Sequence, residues 1–221
     1  MRELLSSTFT RKYFSKMNRG KIYVIAAPSG AGKSTLVNAL CKSDPLVQLS
    51  ISHTTRPIRP GENDGVNYFF VSVEKFKEMI DNNEFLEYAK VYNNYYGTNI
   101  NTIKQFQSNG KDIILEIDWQ GARQIRKIFS DAILIFILPP SLEVLKQRLI
   151  SRNTDSKEVI QTRLAAAEED ISHAEEFDYI IINDDFDSAL LDLCSIIRAQ
   201  RNKTQRIIET IKTLFNLNAP K

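Results

Sequence analysis

The run Ala27, Pro28, Ser29, Gly30, Ala31, Gly32, Lys33, Ser34 follows a short apolar stretch and opens a segment of helical character that continues through Thr35. It satisfies the pattern G-x-x-x-x-G-K-[ST] from its second glycine onward, with Ala27 in place of the first glycine. Such a loop lets successive backbone N–H groups curl around a phosphate, and the helix N-terminus behind it adds partial positive charge. Lys33 would reach the β- and γ-phosphates, and the Ser34 hydroxyl could ligate Mg²⁺. A strand before and a helix after are the context that the motif requires. By itself the loop implies a bound nucleoside triphosphate and names no reaction.

A second set of residues suits a second phosphate. Arg56 and Arg59 stand three residues apart in a proline-braced turn. A fixed guanidinium forks to two oxygens, so a pair of them suits a phosphate group. Tyr68 and Tyr96 could add phenolic donors. Glu116 and Asp118 close an apolar run, where acids beside a phosphate loop can hold Mg²⁺ directly or through its waters. Transfer to a phosphate oxyanion needs no general base, because alignment and charge stabilisation carry it. His53 and His173 therefore read as structural or surface residues.

These groups must be positioned by a scaffold, and the apolar pattern describes one. Residues 22–27, 113–118, 132–138 and 179–183 are continuous apolar runs. Continuous rather than alternating runs imply strands buried on both faces, as in a parallel sheet. Helices fill the gaps at 33–42, 119–129, 142–151, 157–174 and 186–201, which gives a doubly wound α/β fold. The stretch 50–100 breaks the rhythm. It is rich in Tyr, Phe, Asn and Thr, with short alternating segments at 67–71 and 85–92 and a helix at 73–81, and reads as a small mixed insert. At the end of the chain Ile207, Ile208, Ile211, Leu214 and Phe215 fall on one helical face.

The chain has 221 residues, 43% hydrophobic and 25% charged, with a formal net charge of +2. That suits one globular domain with inserts and gives no electrostatic footprint for nucleic acid. No apolar run approaches the roughly 18–20 residues of a membrane span. Cys41 and Cys194 have no metal-ligand spacing, and reduced structural thiols suit a cytoplasmic setting. The first 21 residues carry six cations against Glu3. They lack the apolar core of a secretory signal, and 1–20 reads as a disordered extension, with Met17 as an alternative start.

Several motifs in order make the reading specific. Ser52-His-Thr-Thr-Arg56-Pro-Ile-Arg59-Pro-Gly-Glu62 is followed by Val-Asn-Tyr68-Phe-Phe-Val, Asn-Asn-Glu-Phe-Leu-Glu87, Tyr-Tyr96-Gly-Thr98 and Glu116-Ile-Asp118-Trp-Gln-Gly. This series resembles the guanylate kinase family over roughly residues 21–198. The resemblance implies a P-loop NTPase fold, a mostly parallel sheet flanked by helices, with an inserted mixed α+β subdomain that binds GMP and a helical lid. It implies a core from 21–49, 101–145 and 175–221, an insert at 50–100 and a lid at 146–174.

The activity it implies is transfer of the γ-phosphoryl group of ATP to GMP or dGMP, with Mg²⁺. Residues 27–35 would hold ATP. Arg56, Arg59, Glu62, Tyr68 and Tyr96 would serve the GMP phosphate, and Ser52, Glu87, Thr98 and Asp118 the guanine or its surroundings. The guanine edge offers N1–H and an exocyclic NH₂ side by side, and a carboxylate such as Glu87 accepts from both; adenine lacks that pair. Arg148, Arg152 and Arg163 resemble the family's lid arginines, which neutralise charge on the transferring group. Asn153 stands where the family usually has glycine. Asn183 would lie against the adenine. Glu116 takes the place of an aspartate found in some members. No nucleic acid or membrane partner is implied; the C-terminal apolar face would pack on the protein's own core or on a sister subunit, and of these a homodimer is favoured. Two rivals stand beside this reading: a kinase acting on another mononucleotide or on a sugar phosphate, and a protein-binding module on the same fold. Such modules lose phosphate-binding residues, whereas Lys33, Ser34, Arg56 and Arg59 are all present.

Overall fold

The computed structural model describes residues 20–91, 93–151 and 157–215. Residues 1–19, with Met17, and Arg152 and Asn153 lie outside the described residues. The elements run in the order β1 Ile22–Ala26, α1 Lys33–Ser43, β2 Val47–Ser50, β3 His53–Thr54, β4 Phe69–Phe70, α2 Val73–Asp81, β5 Phe85–Val91, β6 Asn94–Asn99 and α3 Ile100–Ser108. They continue with β7 Asp112–Glu116, α4 Trp119–Ile128, β8 Ile133–Leu138, α5 Leu142–Ser151, α6 Lys157–Ser172, β9 Tyr179–Ile182, α7 Phe186–Arg201 and α8 Thr204–Leu214.

The main sheet has five strands in the order β2-β7-β1-β8-β9, all parallel. The continuous apolar runs explain it: every residue of β1 is buried. On one face Tyr23 and Ile25 meet Leu36, Val37 and Leu40 of α1 and Leu193 and Ile197 of α7. On the other Ile22 and Val24 meet Ile103 of α3 and Ala122 and Ile125 of α4. A strand so flanked has no polar side to offer, which is why its sequence does not alternate. No helix among the described residues is long and apolar enough to cross a membrane.

Residues between β2 and α3 form the second sheet, β4-β3-β6-β5. The β5–β6 hairpin is antiparallel and turns at Asn93 with φ 68°, a left-handed angle that asparagine tolerates. Phe76 of α2 stacks on Phe85 at 4.4 Å between ring centres and on Tyr95 at 5.4 Å. The small sheet is fastened to the core by α4. Gln124 Nε2 donates to Tyr88 O at 2.9 Å, and Tyr88 N donates to Gln124 Oε1 at 3.3 Å.

Four elements differ from the sequence expectation. α3, β2 and β6 were not expected: Asn94-Tyr-Tyr-Gly-Thr-Asn99 carries no apolar periodicity and Val47-Gln-Leu-Ser50 alternates over only four residues, so strand pairing rather than a local pattern places the two strands. Strand β7 ends at Glu116, two residues short of the expected end, so Asp118 caps a helix instead of closing a strand. In the C-terminal stripe Ile207, Ile208 and Ile211 are half-buried and Phe215 is 70% exposed; the side chain of Leu214 lies outside the description.

Candidate functional site

The carboxyl ends of β1 and β7 open into a cleft of about 580 Å³, walled on the far side by the small sheet and by α6. The loop after β1 forms its floor. Gly30 and Gly32 adopt φ of 100° and 92°, and a Cβ on Gly32 would lie 2.3 Å from Asn183 Nδ2. Both constraints, backbone angle and close approach, demand glycine at that position. Ala27 has no positive φ, so this position does not need the glycine of the general pattern. α1 starts directly behind the loop at Lys33.

Lys33 Nζ donates to Ile117 O at 3.3 Å, and Ser34 Oγ donates to Glu116 Oε1 in a short hydrogen bond. Ala27, Pro28, Ser29, Gly30, Gly32, Lys33, Ser34 and Thr35 line the cleft, together with Glu116 and Asp118. Ala31 is buried beneath it. Asn183 is also buried, its Nδ2 donating to Ala31 O at 2.7 Å. Arg148 donates to Asn183 O at 2.9 Å. Asn183 thus holds the phosphate loop, and Arg148 holds Asn183.

At the other end of the cleft Arg56 donates through Nη2 to both oxygens of Glu62, at 2.7 and 3.0 Å, and through Nη1 to Pro57 O at 2.7 Å. Glu62 also accepts from the Arg59 backbone N–H at 2.9 Å. Burial works against the charge of Glu62, yet these donors hold its carboxyl below the usual range. Burial likewise opposes the charge of Arg56, and Glu62 more than offsets it. The guanidinium lies 5.4 Å from the Tyr68 ring centre, and Tyr68 meets Tyr96 edge-on at 5.9 Å. Burial, then the charge of Glu116, pushes the Tyr68 phenol up to about 12, so near neutrality it remains a donor.

Glu87 is the most unusual group. It is 3% exposed, comes from the middle of β5, and accepts from Thr98 Oγ1 of β6 at 2.6 Å. Burial pushes its carboxyl up to about 7, against the Thr98 hydrogen bond, and the charge of Asp118 adds to the rise. The pairing register with β6 shifts between Phe85 and Glu87, and the Glu87 side chain lies on the buried side. Beside it Asp118 accepts from Gly121 N at 2.9 Å and caps α4, its own carboxyl raised by burial against the opposing pull of Gly121 N and Lys33. Gly121 makes room: a Cβ there would lie 2.6 Å from Glu87 Oε2.

The structure therefore gathers Arg56, Arg59, Glu62, Tyr68, Glu87, Tyr96, Asp118 and, from α6, Arg163 around the space that faces the phosphate loop. Ser52 and Thr98 are buried behind that wall. Arg152 lies outside the described residues. Two groups were missed from sequence. Asp170 lines the cleft from α6, its carboxyl pushed up to about 6 by burial and then by the charge of Asp118, with Lys33 opposing. It stands seven residues after Arg163, on the same face of α6. Trp119 also lines the cleft and stacks on His173 at 3.7 Å. His173 and His53, the latter stacked on Phe69 at 4.8 Å, serve packing, as expected.

The family model described as guanylate kinase matches residues 19–200. The chain is 58% identical over 185 residues to a guanylate kinase of Hahella chejuensis, covering 84% of this chain and 89% of that protein. It is 53% identical over 196 residues to one from Thiobacillus denitrificans, covering 89% and 94%. Among solved structures it matches the guanylate kinase of Anaplasma phagocytophilum with a TM-score of 0.74 at 33% identity, covering 91% of this chain and 98% of that one.

Proposed function

The chain belongs to the guanylate kinase family, and from that premise we propose how its cleft moves the γ-phosphoryl group of ATP onto GMP. The fold is the α/β P-loop arrangement of that family, and the activity is that of an ATP:GMP phosphotransferase. One observation carries the assignment of parts: a single cleft joins Lys33 to a buried carboxylate, Glu87, with Arg56 and Arg59 between them in function.

ATP lies along residues 27–35, its β- and γ-phosphates met by backbone N–H groups and Lys33. GMP enters the far end. Arg56, Arg59, Tyr68 and Tyr96 take its phosphate, with Glu62 fixing the Arg56 fork. Glu87 in its ionised form accepts N1–H and the exocyclic NH₂ of guanine, with Thr98 orienting the carboxylate and Asp118 beside it. Neither set of contacts uses the ribose 2′-hydroxyl, so dGMP is an acceptor as well. Arg163, with Arg148 and Arg152, supplies positive charge over the transferring group from a lid formed by 146–174. The inserted unit 50–100 and that lid close over both nucleotides, excluding water that would accept the phosphoryl group.

Ser34 Oγ and the Glu116 carboxylate converge at the phosphate loop and are hard oxygen donors, which suits Mg²⁺. No cluster of three acidic, histidine or cysteine ligands occurs among the described residues. That fits an ion completed by phosphate oxygens and water rather than by a protein cage. When bound, Mg²⁺ supplies charge neutralisation at the β- and γ-phosphates. The two unbridged cysteines, Cys41 and Cys194, support a cytoplasmic setting.

A coupled assay of ADP release with GMP, AMP, CMP and UMP side by side tests the assignment. GMP is expected to exceed the other three by orders of magnitude; comparable turnover of AMP would sink it, and absence of any turnover would favour a binding module.

A further inference from the structure

Asp118 and Gly121 stand at the start of α4, so whatever fixes that helix start also fixes the wall behind Glu87. Between them lies Trp119, the single tryptophan of the chain. It opens α4 directly after the Asp118 cap and lines the nucleotide cleft half-buried. Its indole stacks on His173, the residue that follows α6, with ring centres 3.7 Å apart and planes 28° from parallel. Such a pair adds specific attraction beyond the area that it buries.

A polar clamp holds the two rings together. Arg123, one turn along α4 from Trp119, sets its guanidinium carbon 4.5 Å from the indole centre, within reach of a cation–π contact. Glu176, in the single 3-10 turn Ala174–Glu176, accepts from Arg123 Nε at 2.6 Å and from Arg123 Nη2 in a short hydrogen bond. His173 Nδ1 lies 2.9 Å from Glu176 Oε1 and 3.2 Å from Arg123 Nη2. Arg123, opposed by burial and helped by His173, holds the Glu176 carboxyl down to about 2, so the clamp stays charged at neutral pH. The assembly joins the end of α6 to the start of α4. On the α6 side His173 N donates to Asp170 O at 3.2 Å, and Asp170 faces the cleft. On the α4 side Gly121 N donates to Asp118, and Gly121 packs so closely on Glu87 that a shift of the helix start moves the wall behind that carboxylate.

We propose that His173 is a positioning residue for the acceptor nucleotide, a role that rests on the assignment of Glu87 and Asp118 to guanine. Its stack on Trp119 fixes the start of α4, and through it sets Asp118 and Gly121 against Glu87, so that GMP meets a preformed wall. His173 acts through Trp119 and not on the substrate. The phosphate loop is held separately, by Asn183, so the effect of the stack falls on the acceptor and not on ATP.

Steady-state kinetics of the full chain with GMP and ATP test this in His173→Ala, His173→Gln and His173→Phe. With Ala or Gln the KM for GMP is expected to rise about threefold to tenfold, the range that one aromatic pair supplies. His173→Phe keeps a ring over the indole and restores the parental KM. kcat and the KM for ATP stay within about twofold of the parent, because the transferring end of the cleft is untouched. With a single tryptophan in the chain, emission reports Trp119 alone, and titration with GMP in the absence of ATP should give a Kd that rises by the same factor. Ile197→Val, a core change on α7 that lowers stability, leaves the KM for GMP unaltered. An unchanged KM for GMP in His173→Ala and His173→Gln overturns the proposal while leaving the guanine assignment standing. So does an equal rise in the KM for ATP, or rescue by Gln and not by Phe, which would give the role to the Glu176 contact. A parent that takes AMP as readily as GMP overturns the guanine assignment and this role with it.

Discussion

Replacing Glu87 by glutamine separates two consequences of one buried carboxyl. The folded protein holds the Glu87 proton up to about pH 7, against an ordinary value of 4.5. Folded above unfolded, for an acid, means that the native state binds the proton more tightly. Stability from this group is intact below about 4.5 and is lost as pH rises toward 7. A gap of about 2.5 units at ~1.4 kcal/mol each gives about 3 kcal/mol lost across that window. Glutamine keeps the shape and an oxygen for Thr98 but carries no charge. Chemical denaturation of the ligand-free variant should show no such decline, and above pH 7 it should be more stable than the parent by up to that amount. Parallel stability curves for the two proteins would refute the burial argument.

Recognition moves the opposite way. The carboxylate form accepts guanine's two donors, so kcat/KM for GMP should fall as pH drops below about 7, where the free enzyme's Glu87 becomes protonated. The phosphate of GMP titrates identically with both proteins, so the parent-to-variant ratio isolates Glu87. At high pH Glu87→Gln presents an NH₂ to guanine's donors. Losing one hydrogen bond to a charged group costs about 1.5–3 kcal/mol, or roughly tenfold to a hundredfold, and the donor–donor conflict adds to it. Arg56→Ala gives the contrast: it holds a phosphate common to every mononucleotide, so it should depress GMP and AMP alike. If Glu87→Gln leaves the GMP-to-AMP ratio unchanged, the base is read elsewhere.

Lys33→Ala should lose nearly all turnover while keeping its thermal transition, because the amine contacts a carbonyl rather than the core; near-parental kcat in a folded variant would remove Lys33 from the reaction. Gly121→Ala should raise KM for GMP with a smaller effect on kcat, since its Cβ would meet Glu87 Oε2 at 2.6 Å; an unaltered KM would show that the wall yields freely. Distances measured between labels at Lys77 on α2 of the inserted unit and Glu168 on α6 should shorten when both nucleotides are present, and unchanged distances would rule out closure. The C-terminal stripe, with Phe215 exposed, fits a homodimer, and light scattering that reports a monomer at working concentration would dismiss it.

The main sheet was legible because burial on both faces leaves a signature in sequence: 22–27, 132–138 and 179–183 are uninterrupted apolar runs, and β1, β8 and β9 lie within them. The small sheet was legible only in outline. Its strands β3 and β4 are two residues each, and Asn94–Asn99 is held by pairing with β5 and by Phe76 beneath it, neither of which a local pattern encodes. The phosphate loop declared itself because its chemistry needs fixed spacing along the chain. Glu87, read from a motif, acquires its character from Thr98, Asp118 and Gly121, which are brought to it from 11 to 34 positions away. Asp170 escaped because its meaning lies in the cleft that it faces, not in its neighbours.

A common principle links these groups. Three of the polar groups assigned to the reaction are already held by an internal partner. Lys33 rests on the Ile117 carbonyl, Ser34 on Glu116, and Arg56 on Glu62. Nucleotide binding then exchanges partners rather than ordering free side chains. Free lysine and arginine side chains each lose up to about 2 kcal/mol of rotamer freedom when fixed. In a pre-oriented cleft that loss falls on folding instead of on the substrate complex. Arg56 is a different case: on the proposed assignment it would keep Glu62 while meeting the GMP phosphate, and that ion pair already fixes the plane of its guanidinium. Glu87 is the exception. Among the described residues its side-chain hydroxyl partner is Thr98, and burial leaves it poised near neutrality. On the proposed assignment the incoming base would itself stabilise that charge, and selectivity for guanine would follow from that dependence.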